Sequence, residues 1–302
     1  MDVATKEDLP EVLTKIKFAY VGWNKNNKGF FYAYYDNYNG TGDGSDTGKP
    51  QYQRVYYHAL NTPQKQDINI FGFDDKPLWL IGTPIVSDDG KRVFIFPSPG
   101  TSNTPWYYAD FDQDNIQPLE FKPIVEQPNA EYFYVGGDDF CTYIRTNYLA
   151  KNFRLVCVDL TNPAPENWVD IIPGAANEKH VLQDTLIVNY NYTVAVYMID
   201  VVSVLRIFDK ATGRFLFDVD TPIGTIGSIS GKAKSNEFFY KITSFTSPGT
   251  IYRYDFSVKP NKIRIFAESK VAGISADEYV TDQVWYPSKD GTQVPMFLVH
   301  RK

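Results

Sequence analysis

"VLRIFDKATGRFLFDV", Val204–Val219, is the stretch on which the fold turns. A hydrophobic strand ends in an aspartate, a Lys-Ala-Thr-Gly turn follows, and a second strand leads away. Short apolar runs bounded by Gly, Asp and Thr read as strand, turn, strand. The first half of the phrase recurs as "RVYYHAL" (54–60), "PWYYADF" (105–111), "RLVCVDL" (154–160) and "TIYRYDF" (250–256). Its anchors Ala59, Asp110, Asp159, Asp209 and Asp255 stand 51, 49, 50 and 46 residues apart. Asp2 fits 57 residues before the first, and that longer step contains the loop "GTGDGSDTGKP", Gly40–Pro50.

Between anchors each unit runs a similar course. A turn such as "TNPAPEN" (161–167) follows the anchor, then a second strand. An opening strand with a Gly/Asp-rich turn comes next, as in "SDDGKRV" (87–93) or "GGDDFCT" (136–142). About four short strands per unit of 40–50 residues is the signature of a β-propeller. A β-sandwich is the competitor, but it does not explain a constant step. The expected fold class is therefore all-β, with about five to six four-stranded blades. Only Leu9–Phe18, "LPEVLTKIKF", suggests one or two helical turns. A propeller closes so that no long strand edge stays open. Met1 falls inside a strand of the repeat, so both ends of the chain read as cut.

The other end carries "YPSKDGTQVPMFLVHRK", Tyr286–Lys302. It reads as a hairpin around Asp-Gly whose second strand is apolar on both faces: Val294, Met296 and Leu298 on one, Phe297 and Val299 on the other. Such a strand expects cover on both sides. Leaving five side chains wet forgoes on the order of 10 kcal/mol, comparable to a domain's whole stability.

Composition bounds the function. The chain has 302 residues, is 43% hydrophobic and 22% charged, and its 16% aromatic content favours strands. A net charge of −6 argues against a nucleic-acid surface, and no 18-residue apolar run suggests a membrane span. The N-terminus lacks the basic and apolar regions of a signal peptide. Two cysteines, Cys141 and Cys157, flank a turn around Leu149. Without a secretory signal they read as reduced, buried thiols of a cytoplasmic protein.

Catalytic motifs are missing. The nearest string to G-x-S-x-G is "GSISG", Gly227–Gly231, with Ile229 at its centre. The Gly40–Gly48 loop matches neither phosphate-loop pattern, nor an EF-hand. His58, His180 and His300 stand at no metal-ligand spacing and read as structural or surface residues. The chain is expected to hold no catalytic site, no metal and no cofactor.

The wording of "YPSKDGTQVPMFLVHRK" and "TSFTSPGTIYRYDF" (243–256), with "DLPEVLTKIKF" (8–18) and "SDDGKRV", resembles the propeller portion of the prolyl oligopeptidase (prolyl endopeptidase) serine peptidases. The resemblance covers essentially the whole chain. Oligopeptidase B shares the architecture and a similar hairpin, but the wording fits prolyl oligopeptidase better. The resemblance implies a seven-bladed propeller followed by an α/β-hydrolase domain. Residues 1–275 would be a partial propeller, and 276–302 a linker plus the first hairpin of that catalytic domain. It implies a filter that admits short proline-containing peptides, with a Ser-His-Asp triad beyond Lys302. The complete protein would be a monomer that binds neither nucleic acid nor membrane. Phe18 of "KIKF" would line the peptide subsite two places before the scissile proline, and Leu80 of "PLWLIG" the same pocket. Ser98 and Thr101 depart from the family, which often has arginine and cysteine there. The alternative is a standalone propeller that serves as a binding scaffold, without catalysis.

Overall fold

The computed structural model describes every residue except 1–3, 19, 39, 41–44, 46–49, 83, 101, 260, 261, 274, 276 and 277. Asp2, Thr101 and most of the Gly40–Gly48 loop lie outside the described residues.

The described strands form five four-stranded sheets and one two-stranded sheet, each a meander in chain order. The first holds β1 (Val21–Trp23), β2 (Gly29–Tyr34), β3 (Arg54–Ala59) and β4 (Ile68–Gly72). The second holds β5 (Ile85–Val86), β6 (Arg92–Ile95), β7 (Trp106–Asp110) and β8 (Lys122–Val125). The third holds β9 (Tyr132–Gly137), β10 (Thr142–Thr146), β11 (Arg154–Val158) and β12 (Val169–Ile172). The fourth holds β13 (His180–Val188), β14 (Tyr192–Ile199), β15 (Val202–Asp209) and β16 (Phe215–Val219). The fifth holds β17 (Thr225–Gly231), β18 (Glu237–Thr243), β19 (Thr250–Asp255) and β20 (Lys262–Glu268). These are the blades of a β-propeller, five complete ones among the described residues. The two-stranded sheet is β21 (Tyr279–Pro287) with β22 (Gln293–Arg301).

The repeat anchor has a physical cause. Every anchor falls at the end of its blade's third strand or directly after it. Asp159 Oδ1 accepts from the Thr161 amide and hydroxyl, both at 2.8 Å. Asp209 Oδ1 accepts from the Thr212 amide at 2.9 Å and its hydroxyl at 2.7 Å. Asp255 Oδ1 takes the same pair from Ser257, at 2.9 and 2.6 Å. At these three turns a short side-chain carboxylate closes the turn locally, as Asx turns do, whereas the Asp110 carboxylate pairs with Arg92 and Lys122. Ala59 cannot, and there the Thr62 hydroxyl donates to the Ala59 carbonyl at 2.7 Å. In "KATG" the turn ends on Gly213 with φ +67°, where a Cβ would lie 1.7 Å from the Ile171 carbonyl oxygen. Only glycine fits that approach.

The chain divides into two compact units, 1–142 with 159–167 and 143–158 with 168–302. The core of the first gathers Phe31, Val55, Val93, Ile95 and Ala109, all fully buried. That of the second gathers Val188, Val194, Leu205, Ile207 and Phe238. Both are built from the inward positions of alternating strands.

Two expectations need correction. Leu9–Phe18 is not helical: the described residues of this segment carry no helical assignment. Lys15 and Phe18 adopt φ of +57° and +53°, which a right-handed helix excludes. The cysteines are not reduced thiols, since both Cys141 and Cys157 are disulfide-bonded.

The β21–β22 hairpin pairs from Tyr279↔Arg301 to Pro287↔Gln293. Its loop is closed by Ser288 N–H to the Thr292 carbonyl at 2.8 Å, with Gly291 at φ +84°. Phe297 packs at a tilt against Phe245, ring centres 5.5 Å apart, beside a cavity of about 230 Å³ that Val201 and Ile223 also line. Met296, Leu298 and Val299 remain two-fifths exposed.

Candidate functional site

Phe18 and Leu80 both stand out from the sheet core. Phe18 is 63% exposed and Leu80 37%. Neither is the packed blade residue that an apolar side chain in a β-rich chain most often becomes. Lys17 Nζ lies 5.7 Å from the centre of the Phe18 ring and 5.4 Å from that of Tyr38, within cation–π range. Leu80 sits in an isolated antiparallel bridge with Ser98: Leu80 N–H donates to the Ser98 carbonyl at 3.1 Å, and Ser98 N–H to that of Leu80 at 2.6 Å.

One buried residue joins the two segments. Gln53, 2% exposed, precedes β3. Its Nε2 donates to the Lys17 carbonyl at 3.2 Å, and its Oε1 accepts from Ile81 N–H at 2.6 Å and Gly82 N–H at 3.4 Å. A single carboxamide therefore ties the residue before Phe18 to the residue after Leu80. Sequence reasoning did not single out Gln53, because a lone glutamine carries no motif. Ser98 supports Leu80 through its backbone and turns its hydroxyl onto the Gly100 carbonyl. It offers no substitute for the charge an arginine would bring.

Trp79, directly before Leu80, belongs to an aromatic cluster. Phe73 meets Trp79 edge-on at 5.4 Å, and Lys76 Nζ lies 4.9 Å from the Phe73 ring and 5.2 Å from that of Trp79. The Leu80 segment thus follows a packed ring pair in sequence and precedes the backbone amides that Gln53 holds.

His58 is the one histidine held in a network. It is 1% exposed, with Nδ1 2.8 Å from Asp67 Oδ1 and Nε2 3.5 Å from Glu11 Oε1. Asp67 Oδ2 accepts from the Tyr32 hydroxyl at 2.6 Å. Burial, then that bond to Asp67, drives the Tyr32 phenol far above its usual range. A His–Asp pair could activate a nucleophile, but the free nitrogen of this one faces a carboxylate, not a hydroxyl. His300 Nε2 lies 3.5 Å from Asp282 and His180 Nε2 3.4 Å from Asn177 Nδ2, both at the surface. Among the described residues no three His, Cys, Asp or Glu side chains gather as a metal site.

Comparison with known proteins agrees with this architecture. The family described as prolyl oligopeptidase, N-terminal beta-propeller domain, matches residues 1–266. The chain is similar to prolyl oligopeptidase A of Galerina marginata, with 32% identity over 100% of this chain and 41% of that protein. It is similar to the dual function macrocyclase-peptidase POPB of Amanita bisporigera, with 32% identity over 95% of this chain and 38% of that one. Among solved structures, prolyl oligopeptidase B of Galerina marginata bound to a 25mer macrocyclization substrate superposes with a TM-score of 0.85. The identity is 29%, over 99% of this chain and 41% of that one. The chain spans about two fifths of the length of the curated relatives it matches.

Proposed function

The chain belongs to the prolyl oligopeptidase N-terminal β-propeller family, and from that premise we propose that it is the substrate-gating part of a serine endopeptidase that cleaves short peptides after proline. The observation that carries this reading is the family match across residues 1–266, on a chain that itself contains no G-x-S-x-G elbow. The chemistry would come from an α/β-hydrolase domain of the longer protein, by serine attack, histidine acid–base transfer and aspartate orientation. The apolar faces of β22 would be covered by that domain, with residues 1–275 forming the propeller part.

This chain's own contribution is selection. Phe18 and Leu80 would form an apolar wall two places before the scissile proline, where an aromatic face and a branched aliphatic can cover an apolar substrate side chain. Losing such a contact costs about 1–3 kcal/mol, or roughly 10–200-fold in specificity.

A fluorophosphonate probe tests the division of labour. It is expected to label the natural full-length protein stoichiometrically and to leave the 302-residue polypeptide unlabelled. Labelling of the 302-residue chain would place a nucleophile in it and overturn the reading. A full-length protein that resists the probe would favour a non-catalytic scaffold. Phe18→Ala in the full-length enzyme is expected to lower kcat/KM for a capped Phe-Gly-Pro substrate far more than for Gly-Gly-Pro. Equal losses on both would mean that Phe18 serves only the blade.

A further inference from the structure

Residues 9–18 have no regular structure of their own. Among the described residues no backbone–backbone hydrogen bond reaches this segment. Lys15 and Phe18 nonetheless hold left-handed φ values. For residues with a Cβ these persist only where the surroundings fix them. The fixing groups are polar side chains of the first blade, and they grip at three points.

At Glu11, the carboxylate accepts the Asn61 amide and lies 3.5 Å from His58 Nε2. At Thr14, Gln64 does what a neighbouring strand would do. Its Oε1 accepts from Thr14 N–H at 3.0 Å, and its Nε2 donates to the Thr14 carbonyl at 3.1 Å. At Lys17, Gln53 Nε2 holds the carbonyl at 3.2 Å. The first two grips are coupled, because Gln64 Nε2 also reaches the Tyr32 hydroxyl at 3.3 Å, and Tyr32 bonds Asp67, the partner of His58. The three grips fall three residues apart, and the last directly precedes Phe18.

We propose that Gln53, Gln64 and His58 are positioning residues that set peptide selectivity, by clamping residues 11–17 to the first blade and fixing the spacing of Phe18 from Leu80. The proposal rests on the reading of Phe18 and Leu80 as a substrate wall. Gln53 is central because its two ends serve the two sides of that wall. Removing the carboxamide frees Lys17 and Ile81 from each other while leaving both apolar side chains in the chain.

Hydrogen exchange on the 302-residue chain tests the clamp directly. Gln53→Ala is expected to raise exchange at least tenfold in peptides covering 11–18 and 80–82, with β6 unchanged. Gln64→Leu, at a half-buried surface position where folding is not at risk, should raise exchange in 11–18 only. Unchanged exchange in 11–18 for Gln64→Leu would overturn the clamp. Selectivity is then read in the full-length enzyme as the ratio of kcat/KM for capped Phe-Gly-Pro over Gly-Gly-Pro. Gln64→Leu should lower that ratio at least tenfold through KM, with kcat held. A loosened segment with an unaltered ratio would make the clamp purely structural and overturn the selectivity claim. A wild-type enzyme that does not distinguish the two peptides would overturn the wall itself, and with it the selectivity claim, while the exchange result on the clamp stands.

Discussion

β13 and β22 are both nine residues long and both rich in apolar residues, yet they live in different environments. In β13, Leu182, Ile187 and Val188 are buried. β14 pairs along the strand, and Val188 joins the cluster of Ile226 and Phe238. In β22, Phe297 finds Phe245, and Gln283 of β21 donates to the Asp200 carbonyl at 2.7 Å, but Met296, Leu298 and Val299 stay two-fifths exposed. An apolar strand pattern therefore specifies a strand, while its burial is supplied by neighbours distant in sequence. The blade owns such neighbours and the hairpin largely does not.

Core truncation should separate the two regions most. Leu205→Ala in β15, at a fully buried position, is expected to cost about 2–5 kcal/mol in chemical denaturation. A cost below about 1 kcal/mol would mean the blade core is looser than its burial implies.

Acid should come next. The Thr161 amide, the Thr212 hydroxyl and the Ser257 hydroxyl each hold an anchor aspartate below the usual carboxylate range. A carboxylate depressed in the folded state contributes its stability above the unfolded pKa and loses it as pH falls through the folded one. The affected window lies below about pH 4. Combining Asp159→Asn, Asp209→Asn and Asp255→Asn keeps turn-forming side chains that do not titrate. Its urea midpoint should fall less steeply below that pH than the wild type's, and an identical acid limb would contradict the account. Asp290 in the hairpin loop is lowered by the Thr292 amide in the same way. Asp290→Asn should leave the global acid limb as it is, since opening the hairpin need not unfold a blade.

Backbone changes come third. The two-residue turn between β14 and β15 puts Asp200 at φ +49° and Val201 at φ +64°. A β-branched residue is poorly suited there. Val201→Gly is expected to stabilise the blade by about 1 kcal/mol in thermal or urea melts. Destabilisation would show that the contact of Val201 with the Phe245–Phe297 cavity outweighs the strain. The smallest effect belongs to the hairpin: Leu298→Ala should shift stability by no more than about 0.5 kcal/mol. A loss matching that of Leu205→Ala would erase the contrast between the two regions.

Much of this architecture was legible in the sequence because its causes are local. At three of the anchors the aspartate and a hydroxyl residue two or three positions later make the turn, so "VLRIFDKATG" announces its strand end from within. The reading of Phe18 and Leu80 as pocket residues came from resemblance, not from pattern. What stayed hidden depends on distant partners. Leu9–Phe18 carries helix-compatible spacing, yet its conformation is set by Asn61 and Gln64, about fifty residues on. Gln53 is informative only once Lys17 and Ile81 are seen at its two ends. The disulfide-bonded state of Cys141 and Cys157 carries no local signal in the sequence.

The self-closing turn at Asp159, Asp209 and Asp255 has an evolutionary corollary. A segment of about fifty residues that ends its third strand with its own carboxylate and hydroxyl borrows nothing from adjacent segments to make that turn. Such a segment can be copied within a gene and still fold its copy's turn, so copy number can change without new turn chemistry arising each time. At these three turns the donor varies around a fixed acceptor: threonine stands at two of them and serine at the third, with spacings of two or three residues.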